Sequence, residues 1–486
     1  MEFHRLGYPL LLLGVFALSW AARASSRARQ IILLAASYFF YAWVDVRYLA
    51  VLAGVTAVAY FGAPAVARRG GRGRGGVLAA IVALALAPLA ILKYWDFAAQ
   101  AFSDLLQSTA APPLLQVATV AGVSFYTFQA VGYLVDVYRG EIEPERDPLV
   151  LALFVGFFPQ ILAGPIGRSS ALIPQWRNLP GYDDRLVADG TFLILSGALK
   201  KILIGDFLGT RLVNPAFTYP TGIGWVGTLL GIYGFAFQLY GDFAGYSEMA
   251  IGSARCLGVR LGPNFDGPYR SRNLSEFWQR WHISLSTWIR DYTFLPLAGR
   301  APSPARTRAA AVLSMTLCGL WHGASFAWIG WGALHGVGLA VHQSFLGAMR
   351  KRFALKKKLD QSKVARFAAG LLTFHFCCLG LWLVRGGDPA MQGVATAAEA
   401  WGRFSQMARE LVSVPKQEGL FFVTPLTVAA LVLAAASHFF PGRWKLRLAQ
   451  SWAAAPRVVQ GAVLAASALA LYVLRPTASP FIYTNF

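Results

Sequence analysis

Residues 317–342 read LCGLWHGASFAWIGWGALHGVGLAVH, three histidines and six glycines set in an otherwise apolar run. Such a run belongs either to a deep protein core or to a membrane-embedded segment, and the rest of the chain decides between them. Of its 486 residues, 56% are hydrophobic and 14% charged, whereas a soluble domain has about 45–50% apolar and about 25% charged residues. The mean hydropathy is +0.48. Similar apolar runs recur from Tyr8 to Leu474, most of them shorter than the ~20 residues a straight helix needs to cross the ~30 Å hydrocarbon core. The expected fold class is therefore an all-α polytopic membrane protein of about 11–13 helices, several of them tilted, broken or re-entrant. Broken backbone at membrane depth is tolerated only where protein or a water-filled cavity surrounds it.

The charge agrees with this reading. Lys and Arg total 44 against 23 Asp and Glu. A balance of +21 invites a nucleic-acid reading, but the cations fall between apolar runs, so no nucleic-acid partner is expected. Arg23, Arg27 and Arg29, then Arg68, Arg69, Arg72 and Arg74, then the stretch from Arg350 to Arg366, read as cytoplasmic loops under the positive-inside rule, in contact with membrane lipids. The 70–76 tract GGRGRGG reads as a flexible loop that sets topology. The N-terminal run reads as a retained first span or re-entrant segment. Four cysteines without a CxxC spacing make neither a disulfide framework nor a zinc site. No polar stretch is long enough for a second folded domain, so residues 1–486 read as one multi-pass domain with its core motifs in 123–345.

Ionisable groups at membrane depth are costly and are functional candidates by default. His322 lies among Leu, Trp, Gly and Phe with no charged neighbour nearby in sequence. Desolvation favours its neutral form, the form a general base requires. His335 and His342, seven apart, share a helix face, and the glycines permit close helix packing or broken geometry. A second candidate region, NLSEFWQRWHISLSTWIRDYTFLP at 273–296, starts with a helix-capping Asn273 three residues before Glu276. Glu276 and Arg280 are spaced to pair. Phe277, Trp281, Leu285, Trp288 and Tyr292 would line one face of a continuous helix. Gln279, His282, Ser286 and Arg290 would form a polar stripe beside it, as on a tunnel wall or an interfacial helix. Asp242 lies deep in QLYGDFAGYSEMAIG, where it could orient a histidine, bind a hydroxyl or pair with an arginine such as Arg255 or Arg280. No GxSxG elbow is present. Cys318, four residues before His322, could pair with it as a nucleophile but also reads as a small core residue. No metal-ligand spacing is completed.

These residues carry a likeness. SYFFYAWVDVRYL (37–49), LKYWDF (92–97), VSFYTFQAVGYLVDVYRG (123–140) and FFPQILAGPIGR (157–168) come in order. They are followed by YGDFAGYSEMAIG (240–252), SEFWQRWHISLSTWIRDY (275–292), GLWHGASFAWIGWGALHG (319–336) and PFIYTNF (480–486). In this order they resemble the membrane-bound O-acyltransferase (MBOAT) family, in its bacterial alginate O-acetylase branch. GPIGR, PLAGR and FIYTNF depart modestly from that branch. The resemblance implies a ring of tilted helices around a central tunnel. It implies His322 as the catalytic histidine and His282 as the second, with a weaker claim for His335. Asp242, Tyr246, Gln279, Arg280, Trp321 and Ser325 are the accompanying candidates for substrate contact, and no metal is expected. It also implies transfer of an acyl group, in the first instance acetyl, in the bacterial inner membrane. The donor would be acetyl-CoA or another acyl-carrier thioester, used as a substrate with no bound cofactor. The acceptor would be a hydroxyl of a periplasmic esterase-like partner protein or a polysaccharide. D-alanyl transfer to teichoic acid, a secondary transporter and a structural scaffold are the competing readings. A transporter would show paired inverted repeats, and none is evident.

Overall fold

The computed structural model describes residues 7–68, 73–106, 122–350, 352–394 and 396–474, and among these there is no β-strand. The expected ending at 480–486 and the tract 69–72 lie outside the described residues. The chain forms two compact units.

The first takes in residues up to 198, with 246–263 and 449–455. Its helices are α1 Gly7–Ala21, α2 Ser26–Val44, α3 Tyr48–Arg68, α4 Gly73–Leu106, α5 Val123–Arg139, α6 Pro148–Gly156, α7 Ser169–Arg177 and most of α8 Asp184–Leu199. Helices α3, α4 and α5 pack on one another, and α2 packs on α1 and α6. Caps set the boundaries: Ser25 accepts from Ala28 N–H at the start of α2, and Asp147 from Leu149 N–H just before Pro148 opens α6. Two sequence expectations change here. Gly73–Gly76 is the first turn of α4 rather than loop. Arg29, expected in a basic loop, is 2% exposed. Its guanidinium lies over the Trp20 ring and donates to Ser19 Oγ, Pro180 O and Leu257 O. Those acceptors and the indole face replace the water that a loop arginine would keep.

The second unit holds residues 199–245, 264–448 and 456–486. It opens with two π-helical segments, Lys200–Asp206 and Gly209–Val213. Then come α9 Gly224–Cys256 (to Gly245 in this unit), α10 Leu274–Arg280, α11 Ile283–Ile289, α12 Pro304–His322, α13 Phe326–Arg350 and α14 Phe353–Gln361. The last helices are α15 Lys363–Gly387, α16 Ala397–Glu410, α17 Pro425–Phe439, α18 Gly442–Ala454, which starts in this unit, and α19 Arg457–Leu474. The basic stretch before α15 thus contains a helix rather than being all loop. The tightest association is the α12–α13 pair. A Cβ on Gly332 would fall 2.3 Å from Met315 O, and one on Gly319 2.2 Å from Trp328 O, so only glycine lets the two backbones touch. Helices α10 and α15 both pack on α13.

Among the described residues, Tyr48–Ala67, Gly73–Ser103 and Lys363–Gly387 are long and apolar enough to cross a bilayer unaided. Helices α17 and α18 form a further apolar pair bent by 88°. Of the other apolar runs, those at 225–239 and 326–341 lie within the long helices α9 and α13, while others are carried by shorter helices such as α1 and α6.

Candidate active site

The site starts from a break. Asn273 caps α10 by accepting from Glu276 N–H at 2.9 Å, as its spacing predicts. The helix does not continue to Pro296, however. Trp281 is extended, and His282 has φ 43°, the only non-glycine residue among those described with positive φ. That conformation costs an L-residue roughly 1–2 kcal/mol, and residues held in it cluster at functional sites. The contacts that hold it come from Asn264 in the preceding loop. Asn264 O accepts from Ile283 N–H at 2.9 Å, and Asp266 N–H donates to Arg280 O at 3.0 Å. The continuous polar stripe expected over 279–290 therefore splits: Gln279 is exposed on α10, while His282 is fully buried at the break.

The same asparagine defines the tautomer of His282. Asn264 Oδ1 accepts from Ser284 N–H (3.3 Å) and Ser284 Oγ–H (2.8 Å), which identifies it as the oxygen. His282 Nδ1, 3.1 Å from that oxygen, must then carry the proton, and Nε2 carries the lone pair.

His322 is the last residue of α12, and Gly323 follows it because a Cβ there would lie 2.0 Å from Trp328 Cδ1. The imidazole stacks on the Trp328 ring (centroids 5.0 Å, 22°) and meets Trp321 at 4.7 Å and Trp331 edge-on at 5.3 Å. Trp321 also reaches His282 (6.3 Å), and Trp331 reaches His335 (4.8 Å). His282, His322 and His335, all buried, are thus joined by indoles into one aromatic cluster, closed by Phe243 on His282 (4.7 Å) and by Phe277 and Trp278 on His335.

The other candidates divide. Trp321 belongs to the cluster. Asp242 sits next to Phe243 in sequence, but its charge meets Lys201 rather than Arg255 or Arg280. Lys201 Nζ lies 2.6 Å from Asp242 Oδ1 and 2.6 Å from Asp206 Oδ1, all three side chains buried. Lysine reaches Asp242 because the π-helical turn at 200–206 brings Gly205 against the Asp242 backbone. Arg280 is held by Glu276 (2.9 Å) and Asp266 (3.7 Å). Ser325 Oγ donates to Asp388 at 2.5 Å, tying the turn after His322 to the cap of the short helix at 389–392. Tyr246 is buried within the first unit. Cys318 is buried one helical turn before His322. Among the described residues no group of three or more His, Cys, Asp or Glu is placed to hold a metal ion. Sequence reading missed Asn264, Trp328 and Trp331. The two tryptophans lie in the quoted run and were legible as helix-face neighbours, whereas nothing local marks Asn264.

Residues 146–384 match the profile of the membrane-bound O-acyltransferase family. The chain is 38% identical over 344 residues to the probable alginate O-acetylase AlgI of Pseudomonas aeruginosa, covering 68% of this chain and 63% of that protein. It is 35% identical over 444 residues to the AlgI of Pseudomonas syringae pv. tomato, covering 89% and 79%. It is 32% identical over 397 residues to the peptidoglycan O-acetyltransferase of Helicobacter pylori, covering 76% and 73%. The matched region thus spans somewhat under two thirds of the Pseudomonas aeruginosa relative and more of the other two. What the fold and the matched profile define is a multi-pass α-helical membrane protein. The chain belongs to the membrane-bound O-acyltransferase family.

Proposed function

We propose that the chain moves an acetyl group from a cytoplasmic thioester, acetyl-CoA, across the bacterial inner membrane. The acceptor is a hydroxyl of a periplasmic partner protein or a cell-surface polysaccharide. The observation that carries this reading is the buried cluster in which one imidazole is fixed by Asn264 and another is stacked among tryptophans. His322 takes the proton of the acceptor hydroxyl. The freed oxygen bonds to the thioester carbonyl carbon, and the oxyanion that forms is held by nearby donors. The C–S bond then breaks, and the proton passes from His322 to the leaving thiolate, so one ester and one thiol replace one thioester and one alcohol. His282, through the lone pair on Nε2, accepts a hydrogen bond from the acceptor and orients it. A dry aromatic setting strengthens each of these polar contacts. Acetyl is favoured over D-alanyl because the named functions of the three relatives above are O-acetylations of alginate or peptidoglycan.

The test is transfer from radiolabelled acetyl-CoA by the purified full chain in nanodiscs, with a polysaccharide or partner acceptor. His322→Ala is expected to lose at least ~10²-fold in transfer, with wild-type elution and melting. Undiminished transfer in that variant rejects the assigned base. A wild-type protein that uses only a D-alanyl carrier thioester, or that transports a solute without acyl turnover, rejects the acetyl reading.

A further inference from the structure

A cavity of about 710 Å³ lies in the second unit between α9, α15 and α17, within the size range of ligand sites. Phe237, Leu371, Phe374, Leu431 and Val432 form its wall, and Phe367, 68% exposed, and Phe439 stand at its open side. Its other end is cationic, with Arg270, Arg272, Lys363 and Arg366. Arg270 is engaged with the His438 and Phe440 carbonyls. Among the described residues, Arg272, Lys363 and Arg366 enter no ion pair. Glu276 is taken by Arg280, and Asp360 by Lys356. The positive end of the α15 dipole points the same way, since Lys363 is its first residue.

The dimensions are those of one leaflet. From Lys363 to Phe374 a helix advances about 16 Å, about half of the ~30 Å hydrocarbon core. At mid-groove stands Gly370, where an added Cβ would meet nothing closer than Ser271 O at 3.9 Å. The space is therefore open and not needed for helix contact. Although Glu276 Oε2 accepts from the backbone N–H of Arg272, the three side-chain cations enter no ion pair among the described residues, and at the mouth of an apolar slot one leaflet deep they fit a single amphiphile with an anionic head.

We propose that this groove binds one anionic phospholipid, its phosphate at Arg272, Lys363 and Arg366 and an acyl chain along Gly370, Leu371 and Val432. The site is separate from the histidine cluster and does not depend on the acyl-transfer reading. The lipid braces α15 against α9 and α17, and the protein favours anionic bilayers.

The test is native mass spectrometry of the full chain titrated with phosphatidylglycerol and, separately, phosphatidylcholine. The wild type is expected to retain phosphatidylglycerol selectively. At about a fivefold factor for each cation, Arg272→Gln/Lys363→Gln/Arg366→Gln is expected to lose about a hundredfold of that preference. Gly370→Phe, which fills the slot with the cations intact, is expected to lose lipid retention, while Gly370→Ala keeps it. Monodisperse elution and a cooperative melting transition no earlier than that of the wild type in lipid-free detergent confirm that the variants are folded. Three results overturn the proposal. One is equal retention of the two lipids by the wild type. Another is an unchanged preference in the triple variant. The third is displacement of the lipid by coenzyme A or by deacylated glycerophosphoglycerol as readily as by intact lipid, which would assign the site to a soluble anion.

Discussion

Replacing Asn264 by Ala removes the one oxygen that serves three donors while leaving its backbone carbonyl on Ile283 N–H. Of those donors, the half-buried Ser284 Oγ–H can turn to another acceptor, whereas Ser284 N–H is fixed in the backbone. His282 Nδ1–H, on a residue with 0% exposure, is left with the long approach to Ser284 Oγ at 3.5 Å. A buried donor left unsatisfied costs about 1–3 kcal/mol, so a stability loss of about 2 kcal/mol is expected. The imidazole also loses its orientation and can exchange its proton between Nδ1 and Nε2. Misplacing a catalytic group by about 1 Å costs roughly 10²-fold, so kcat for acetyl transfer should fall by ~30–100-fold with KM little changed. Ser284→Ala is the companion: it removes a donor from the same oxygen but keeps the His282 bond, and its kcat should stay near that of the wild type. The assay is steady-state transfer in nanodiscs beside thermal unfolding in detergent. If Asn264→Ala melts earlier but transfers at the wild-type rate, Asn264 is only a loop tie and the argument about the tautomer fails.

The left-handed backbone at His282 separates conformation from chemistry. His282→Gly should be about 1 kcal/mol more stable than His282→Ala by thermal unfolding, while both lose transfer; equal stabilities would deny the strain. Lys201→Met leaves Asp206 and Asp242 buried without their cation and should cost about 3–5 kcal/mol. The triple variant Lys201→Met/Asp206→Asn/Asp242→Asn should recover most of it, and failure to recover would mean that the charges do more than balance. Two glycine variants should move oppositely in the same melting assay. Gly332→Ala should lose about 1–3 kcal/mol because its Cβ would overlap Met315 O. Gly370→Ala, in open space, should gain up to about 1 kcal/mol from helix propensity.

What was legible in the sequence was whatever depended on near neighbours. The glycines of the apolar run 317–342 left open close helix packing or broken geometry, and the first is what α12 and α13 show. The cap at Asn273 and the Glu276–Arg280 pair followed from spacing alone. The break at His282 did not. Its local sequence is compatible with helix throughout, and the contacts that override that preference come from Asn264, 18 residues away. The same holds for Asp242 and for Arg29. The partner of Asp242 lies in an apolar run where a π-helical turn, invisible to periodicity, brings Lys201 inward. Arg29 was counted with the topology-setting loops because charge counting cannot see an indole face and three acceptors gathered around one guanidinium.

The two buried imidazoles are not equivalent, and their surroundings argue for the division of labour proposed. Asn264 fixes His282 through an amide oxygen, which orients an N–H but brings no negative charge to offset an imidazolium. The nearest ring to His282 is Phe243, edge-on at 88°. His322 instead lies flat against the face of Trp328, and an indole face attracts a cation more strongly than any other side-chain ring. A proton taken up at His322 is therefore held by the π-cloud beneath it. A weakly held proton is what the last step of an acyl transfer needs, because it must leave again with the thiol. The histidine that is best anchored is thus suited to positioning the acceptor, and the one that is stacked is suited to carrying the charge.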